Sequence, residues 1–341
     1  MFGILLRQDI AIDLGTANTV IMIDGQVVVD EPSIVAIDAS KDKVIAVGQE
    51  ALLMHEKTHK SIRTVRPLRG GVIADFKVAE AMIRGFLEKV PGYRRILKPN
   101  LRLMICIPSG ITEVEERAVR DSAERAGARE TYLIHEPMAA ALGMNLDVEA
   151  PEGQMVIDIG GGTTEIAVIA LGGIVCDRSI RIAGDELNAD IVEYIRRTHN
   201  LQIGERTAET IKIEIGAAAI DIDEPPPNMQ VRGKDIMTGT PRHISVSYRE
   251  VVAALDKSIS KITEAVMQAL AATPPEIAAD LVEHGIHMAG GGALLRGLDK
   301  RISQQTHLPV KIAEDPLRAI VRGTSYALQN LGKFHFLLVK S

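Results

Sequence analysis

One phrase occurs twice in this chain. Residues 12–19 read Ile-Asp-Leu-Gly-Thr-Ala-Asn-Thr and residues 157–164 read Ile-Asp-Ile-Gly-Gly-Gly-Thr-Thr, so Asp13, Gly15 and Thr19 fall on Asp158, Gly160 and Thr164. Each copy runs from an apolar strand through an acid and a Gly/Thr turn into a second apolar strand. Glycine lets the backbone N–H groups of such a turn press against a phosphate. Two such turns, one in each half of a 341-residue chain, could grip one polyphosphate from both sides. The two acids would hold its metal ion, and oxygen ligands suit Mg2+.

At 46% hydrophobic and 25% charged, the composition is ordinary for a globular protein, and the length allows two cored domains. Tryptophan is absent and aromatics make up 3%, so the cores must be aliphatic. A net charge of −6 argues against nucleic acid as the main partner. Cys106 and Cys176 each lie inside an apolar run with no CxxC pattern, which reads as two buried strand residues of a cytoplasmic protein. No stretch approaches the ~18 apolar residues of a transmembrane helix. The apolar start, Met1-Phe2-Gly3-Ile4-Leu5-Leu6, is too short for a signal-peptide core.

Strand patterns fall at Ile10–Leu14, Val20–Ile23, Ser33–Ile37, Arg102–Ile107, Met155–Ile159, Ile166–Leu171 and Gly285–Ala289. Helix patterns alternate with them at Lys77–Val90, Thr112–Ala126, Ala183–Arg197, Glu205–Ile215, Arg249–Ala272 and Leu294–Gln305. Thr112 and Glu115 have the spacing of a capping box. The mixture predicts an α/β chain. Met144–Gln154 reads as a hinge between halves, Thr273-Pro274-Pro275 as a break after the long helix, and Asp221–Asn228 as an exposed loop.

A third glycine cluster, Gly290-Gly291-Gly292, follows an apolar strand and precedes Ala293-Leu294-Leu295. Backbone there could lie flat against a planar ligand, and a helix N-terminus favours anions. Neither a Walker A lysine motif nor a Rossmann Gly-x-Gly-x-x-Gly is present. In this order the three glycine segments resemble the phosphate-1, phosphate-2 and adenosine motifs of the actin, Hsp70 and sugar-kinase superfamily. Four segments narrow the likeness: residues 12–19, Arg66-Pro67-Leu68-Arg69-Gly70-Gly71-Val72-Ile73-Ala74-Asp75, Glu136-Pro137-Met138-Ala139-Ala140-Ala141, and residues 290–298. Together they are similar to the MreB family of bacterial actins, over about residues 8–330.

That resemblance implies the actin-like ATPase fold: two duplicated ribonuclease H-like domains around a nucleotide cleft, each with a smaller inserted subdomain. The limits it suggests are 1–145 for the first domain with an insert at about 33–66, and 146–315 for the second with an insert at about 183–245. A segment 316–341 would return to the first domain. By the same resemblance Asp13 and Asp158 hold Mg2+, largely through its waters. Gly15, Thr16, Ala17 and Asn18 meet the phosphates of ATP from one side, and Gly160, Gly161, Gly162 and Thr163 from the other. Glu136 orients the attacking water, with Thr163 helping to place it. Glu209 and Lys212 serve the ribose and adenine, with Gly290, Gly291, Gly292 and Ala293 at the adenosine, and Asp185 is a further cleft candidate. The activity expected is a slow Mg2+-dependent ATPase coupled to polymerisation. His135 departs from the family, which commonly has an acid there.

The family builds filaments on the inner face of the cytoplasmic membrane and organises wall synthesis in rod-shaped bacteria, so self-association, lipids and shape and wall-synthesis membrane proteins are the expected partners. Val114 is a candidate for antiparallel pairing of protofilaments, with an ordinary core valine as the competing reading. Phe2, Ile4, Leu5 and Leu6, and Ile96 and Leu97 flanked by Arg94, Arg95 and Lys98, are candidate membrane contacts. His55-Glu56-Lys57-Thr58-His59 fits a zinc-protease pattern, but no third ligand is evident and the phosphate motifs already account for the chain. The alternatives are a chaperone ATPase of the Hsp70 class, for which too little chain follows Gly290, and a small-molecule kinase, for which no catalytic base is found.

Overall fold

The computed structural model describes residues 7–55, 61–93 and 100–339. The first copy of the repeated phrase forms β1 (Arg7–Leu14) turning into β2 (Asn18–Ile23), with β3 (Gln26–Pro32) antiparallel beyond it. Strand β9 (Asn100–Ile107) pairs parallel to β1, and β10 (Glu130–His135) parallel to β9, giving the order β3-β2-β1-β9-β10. The second copy forms β11 (Gln154–Ile159) turning into β12 (Thr164–Ala170), with β13 (Gly173–Ile180) antiparallel beyond it. Strands β17 (Ile286–Ala289) and β18 (Val310–Ile312) continue the sheet in parallel, giving β13-β12-β11-β17-β18. The two five-stranded sheets therefore share one topology, and the repeated phrase is the first hairpin of each. Every residue of β12 is buried, which is why its residues 166–170 read as an unbroken apolar run with no alternation.

Smaller elements interrupt each half. Between β3 and β9 lie a three-stranded sheet of β4 (Val35–Asp38), β5 (Lys43–Val47) and β6 (Ile62–Val65), helix α1 (Gln49–Met54), the hairpin β7 (Leu68–Arg69) and β8 (Val72–Ile73), and α2 (Phe76–Leu87). Helix α3 (Glu113–Arg125) joins β9 to β10, and α4 (Glu136–Gly143) leaves β10. After β13 come α5 (Gly184–His199), β14 (Leu201–Gln202), α6 (Glu205–Ile215), β15 (Met229–Asp235), β16 (Pro241–Val246), α7 (Tyr248–Ala272) and α8 (Pro275–His284). Strands β14, β15 and β16 form a second three-stranded sheet. The chain closes with α9 (Leu298–Thr306), α10 (Ala319–Gln329) and α11 (Leu331–Phe334).

Local signals explain several element ends. Thr112 and Glu115 form a full capping box at α3, and Ser247 and Glu250 form another at α7. Helix α7 stops at Ala272 before Pro274-Pro275, as expected. The helix expected over Leu294–Gln305 is instead split. A single 3-10 turn covers Gly291–Leu294, Leu295 is extended, and Gly297 at φ 74 starts α9. Strand β12 ends one residue early because Leu171 takes φ 50 to enter the turn. Both cysteines are free, with Cys106 buried and Cys176 only half-buried.

Helices α4 and α10 lie between the two sheets. Ala139, Ala140 and Ala141 of α4 share one apolar cluster with Ala319 and Ile320 of α10, Met104 and Ile134 of the first sheet, and Val156, Ala167 and Ile169 of the second. The halves therefore meet through small side chains, at a fixed spacing. Beyond α10 the chain reaches β10, where Val339 N–H donates to the Leu133 carbonyl at 3.0 Å. No helix among the described residues is long and apolar enough to cross a membrane.

Candidate functional site

The turn between β1 and β2 and the turn between β11 and β12 face each other across a cleft. Ser33 pins the first, its Oγ donating to the Gly15 carbonyl at 2.6 Å and its N–H to the Ala17 carbonyl at 2.8 Å. The second is closed by Gly160 N–H on the Thr163 carbonyl at 2.9 Å and by Asp185 N–H on the Gly161 carbonyl at 2.8 Å. The approach is close enough to dictate residue type. A Cβ on Gly161 would lie 2.6 Å from the Ala17 Cβ, and one on Gly162 would lie 2.5 Å from Thr16 Oγ1. Glycine stands there because the two turns touch.

A cavity of about 440 Å3 opens beside this contact. Asp13, Gly15, Thr16, Ala17 and Asn18 line it from the first half, and Asp158, Gly160, Gly161, Gly162 and Thr163 from the second. Glu136, Asp185, Glu209, Lys212, Gly290, Gly291 and Gly292 complete the set expected from sequence. Ala293 does not line the cavity; it is the fully buried residue of the 3-10 turn. The sequence reading missed Asp30, Gly71 and an apolar wall of Ile213, Leu294 and Leu317, which are 66%, 55% and 54% exposed. Gly71 belongs to the β7–β8 turn, and its N–H donates to Thr16 Oγ1 at 2.9 Å.

Carboxylates gather where the two turns meet the cavity. Asp13 is pushed up to about 6, chiefly by burial, with the Cys106 thiol opposing and Asp30 adding to the rise. Burial, and then the charge of Asp13, holds Asp158 well above the usual carboxylate range. Glu136 opens α4 and is 7% exposed; burial, and then Glu165, Asp158 and Asp13, raises it well above its ordinary value. A divalent cation would relieve this mutual repulsion. Asp158 Oδ1 is buried with no hydrogen-bond partner, and an all-oxygen donor set with an unpartnered atom fits Mg2+. Among the described residues no three His, Cys, Asp or Glu side chains converge closely enough to hold a metal directly.

Beside the second turn Lys212 Nζ donates to the Gly184 carbonyl at 3.0 Å, while Gly184 N–H donates to the Gly160 carbonyl at 3.1 Å, and burial lowers the pKa of the Lys212 ammonium. Asp185 beside it is raised by burial, with Arg66 opposing. His135 Nδ1, next to Glu136, is buried without a hydrogen-bond partner. His55 Nδ1 is taken by Thr64 Oγ1 at 2.8 Å, and residues 56–59 of the zinc-like pattern lie outside the described residues. Val114 stands 77% exposed on α3, so it is not a core valine. Phe2, Ile4, Leu5, Leu6, Ile96 and Leu97 lie outside the described residues.

Comparison with known proteins agrees with this geometry. Residues 7–335 match the family described as MreB/Mbl protein. The cell shape-determining protein Mbl of Bacillus subtilis is 44% identical over 330 residues, covering 96% of this chain and 98% of the relative. The cell shape-determining protein MreB of Haemophilus influenzae is 48% identical over 330 residues, covering 95% and 94%. The crystal structure of MreB5 of Spiroplasma citri bound to AMPPNP superposes with a TM-score of 0.90 at 40% identity, covering 96% of this chain and 97% of that one. The actin-like fold, the duplicated hairpins and this match across nearly the whole length place the chain in the MreB/Mbl family of bacterial actins.

Proposed function

We propose that this protein is an actin-like cytoskeletal ATPase that assembles into filaments on the inner face of the cytoplasmic membrane and helps set rod cell shape by organising wall synthesis. The observation that carries the reading is the pair of matched turns, one from each sheet, closed against each other beside a carboxylate-lined cavity. Family membership, the shape-determining names of the relatives and the AMPPNP in the Spiroplasma structure support it. The names of the relatives lend nothing to the chaperone or kinase alternatives. The domain limits in this reading are 1–145, 146–315 and 316–341, with inserts at about 33–66 and 183–245.

In this reading backbone N–H groups at residues 15–18 and 160–163 hold the β and γ phosphates from two sides. Asp13 and Asp158 would hold Mg2+, largely through its waters, and the ion when bound neutralises charge on the phosphates and on these acids. Glu136 orients the attacking water, and Thr163, 6% exposed at the end of the second turn, limits where that water can sit. Asp185, Glu209 and Lys212 take the ribose and base edge, while Ile213, Leu294 and Leu317 cover the base faces. Among the described residues lining the cavity Lys212 is the one Lys or Arg, and its Nζ is held by the Gly184 carbonyl at 3.0 Å. With no arginine finger supplied from that lining, hydrolysis is expected to be slow.

Polar protofilaments paired antiparallel through the α3 face around Val114 complete the assembly. Membrane contact through Phe2, Ile4, Leu5, Leu6, Ile96 and Leu97 is supported by register: Arg7 of β1 pairs with Asn100 of β9, so both apolar segments lead into one end of one sheet. Ultracentrifugation with Mg·ATP, Mg·ADP or no nucleotide, with and without anionic liposomes, tests the whole reading. Pelleting that requires Mg·ATP and rises with liposomes is expected. No assembly under any nucleotide and lipid condition would overturn it.

A further inference from the structure

Glu165 is fully buried, at 0% exposure, and does not line the nucleotide cavity. It sits on β12 opposite Asp158 of β11 and opposite Ser179 of β13. Both of its carboxylate oxygens are occupied. Ser179 Oγ donates to Oε1 at 2.6 Å. Ser109 donates to Oε2 twice, from its hydroxyl at 2.8 Å and from its backbone N–H at 3.1 Å.

Ser109 belongs to the other half of the molecule. It lies in the short loop between β9, whose Cys106 is the register partner of Asp13, and α3. The neighbouring Gly110 comes so close to β13 that a Cβ there would lie 3.0 Å from the Cβ of Ser179. The loop thus crosses to the second sheet and touches it at two consecutive residues. Its far end is fixed as well, because Thr112 begins the capping box of α3. On the other side of the joint, Thr163 of the phosphate turn is two residues before Glu165.

We infer that Glu165 is a positioning residue that, through Ser109, ties the phosphate turn Gly160–Thr163 to the first turn of α3, so that displacement of the turn by nucleotide reaches the face bearing Val114. This rests on the nucleotide reading given above. A buried carboxylate with three donors holds as a unit, since losing one donor leaves a desolvated charge short of a partner. Only Gly110 and Ile111 separate Ser109 from the N-cap Thr112, which leaves little chain to absorb a shift before α3 must follow. The contact is a specific physical path between the halves, and coupling along it is what the exchange experiment reads.

Hydrogen exchange over residues 109–116 in the full chain, kept monomeric and compared with and without Mg·AMPPNP, tests the link. AMPPNP affinity is titrated on the same samples. Wild type is expected to gain protection in this segment on binding. Ser109→Ala should lose at least half of that nucleotide-dependent gain while its AMPPNP affinity stays within about threefold. Ser109→Thr, which keeps a hydroxyl, should restore the gain. Ser179→Ala, which acts within the second sheet alone, should lose less than Ser109→Ala. Glu165→Gln should mimic Ser109→Ala, and if that variant does not fold the serine variants still decide. A full protection gain in Ser109→Ala, or no gain in a wild type that binds AMPPNP, would overturn the inference. A wild type that does not bind AMPPNP would overturn the functional reading and this inference with it.

Discussion

Asp158 and Glu136 share one cavity, yet their placements give them different duties. Asp158 is the last residue but one of β11 and leaves Oδ1 unpartnered and buried, so its natural complement is a cation. Glu136 opens a helix with its carboxyl held high by burial and by neighbouring acids, which suits a group that handles a water. Asp158→Ala should therefore weaken Mg2+-dependent nucleotide binding and hydrolysis together. Glu136→Gln should keep affinity and slow hydrolysis by about 100-fold or more. Titration with Mg·AMPPNP beside single-turnover ATP hydrolysis separates the two, and equal loss of affinity in both variants would show the roles to be divided wrongly. These acids were legible in the sequence because they recur in a duplicated phrase. The apolar wall was not, since residue type alone does not reveal exposure. A usable signal did exist in α6: Ile211 and Ile215 share a face and are buried, whereas Ile213, two residues from each, had to point elsewhere.

Among the elements, α4 and α10 matter most to the site, because α4 carries Glu136 at its first turn and α10 sets where α4 lies. The two helices cross on glycines. A Cβ on Gly143 would collide with the Ala319 carbonyl, and one on Gly323 would collide with the Ala139 carbonyl. Gly323→Ala must push the helices apart, and overpacking of this kind costs typically about 1–3 kcal/mol. The variant is expected to unfold at lower denaturant and to hydrolyse ATP more slowly, since Glu136 moves with its helix. An unchanged unfolding midpoint with unchanged turnover would show that the crossing yields without strain. Sequence reading located α3 and the end of α7 from capping and proline signals, which are local. It had no local pattern that encodes the place of α10 beside α4, a contact between segments far apart in the chain; the one expectation touching that contact, that residues 316–341 return to the first domain, came from the resemblance. The single helix it expected near Leu294 failed for a local reason that composition hides: Gly297 takes a left-handed conformation there, although glycine is equally able to sit inside a helix.

At the scale of the whole molecule, the shared topology of the two sheets places the two matched turns at one junction and leaves the end of the first sheet, at Arg7 and Asn100, far along its strands from Asp13 and Cys106. At that end lie Arg7 and Asn100, which follow in sequence the segments, outside the described residues, that contain the apolar residues 2–6 and 96–97. One fully inserted apolar side chain contributes about 1.5–3 kcal/mol, and partial insertion of a few in a single molecule is offset by lost chain freedom. A filament repeats the contact along its length, so weak sites act together once assembly has occurred. Membrane attachment should then depend on polymerisation, while nucleotide turnover should not depend on the membrane residues. The double variant Leu5→Glu, Leu97→Glu is expected to retain Mg·ATP-dependent pelleting and wild-type ATP hydrolysis, yet to stay out of floated anionic liposomes. Flotation of the variant filaments equal to wild type would place the membrane contact elsewhere on the molecule, and loss of pelleting without lipid would show that these residues serve the filament itself.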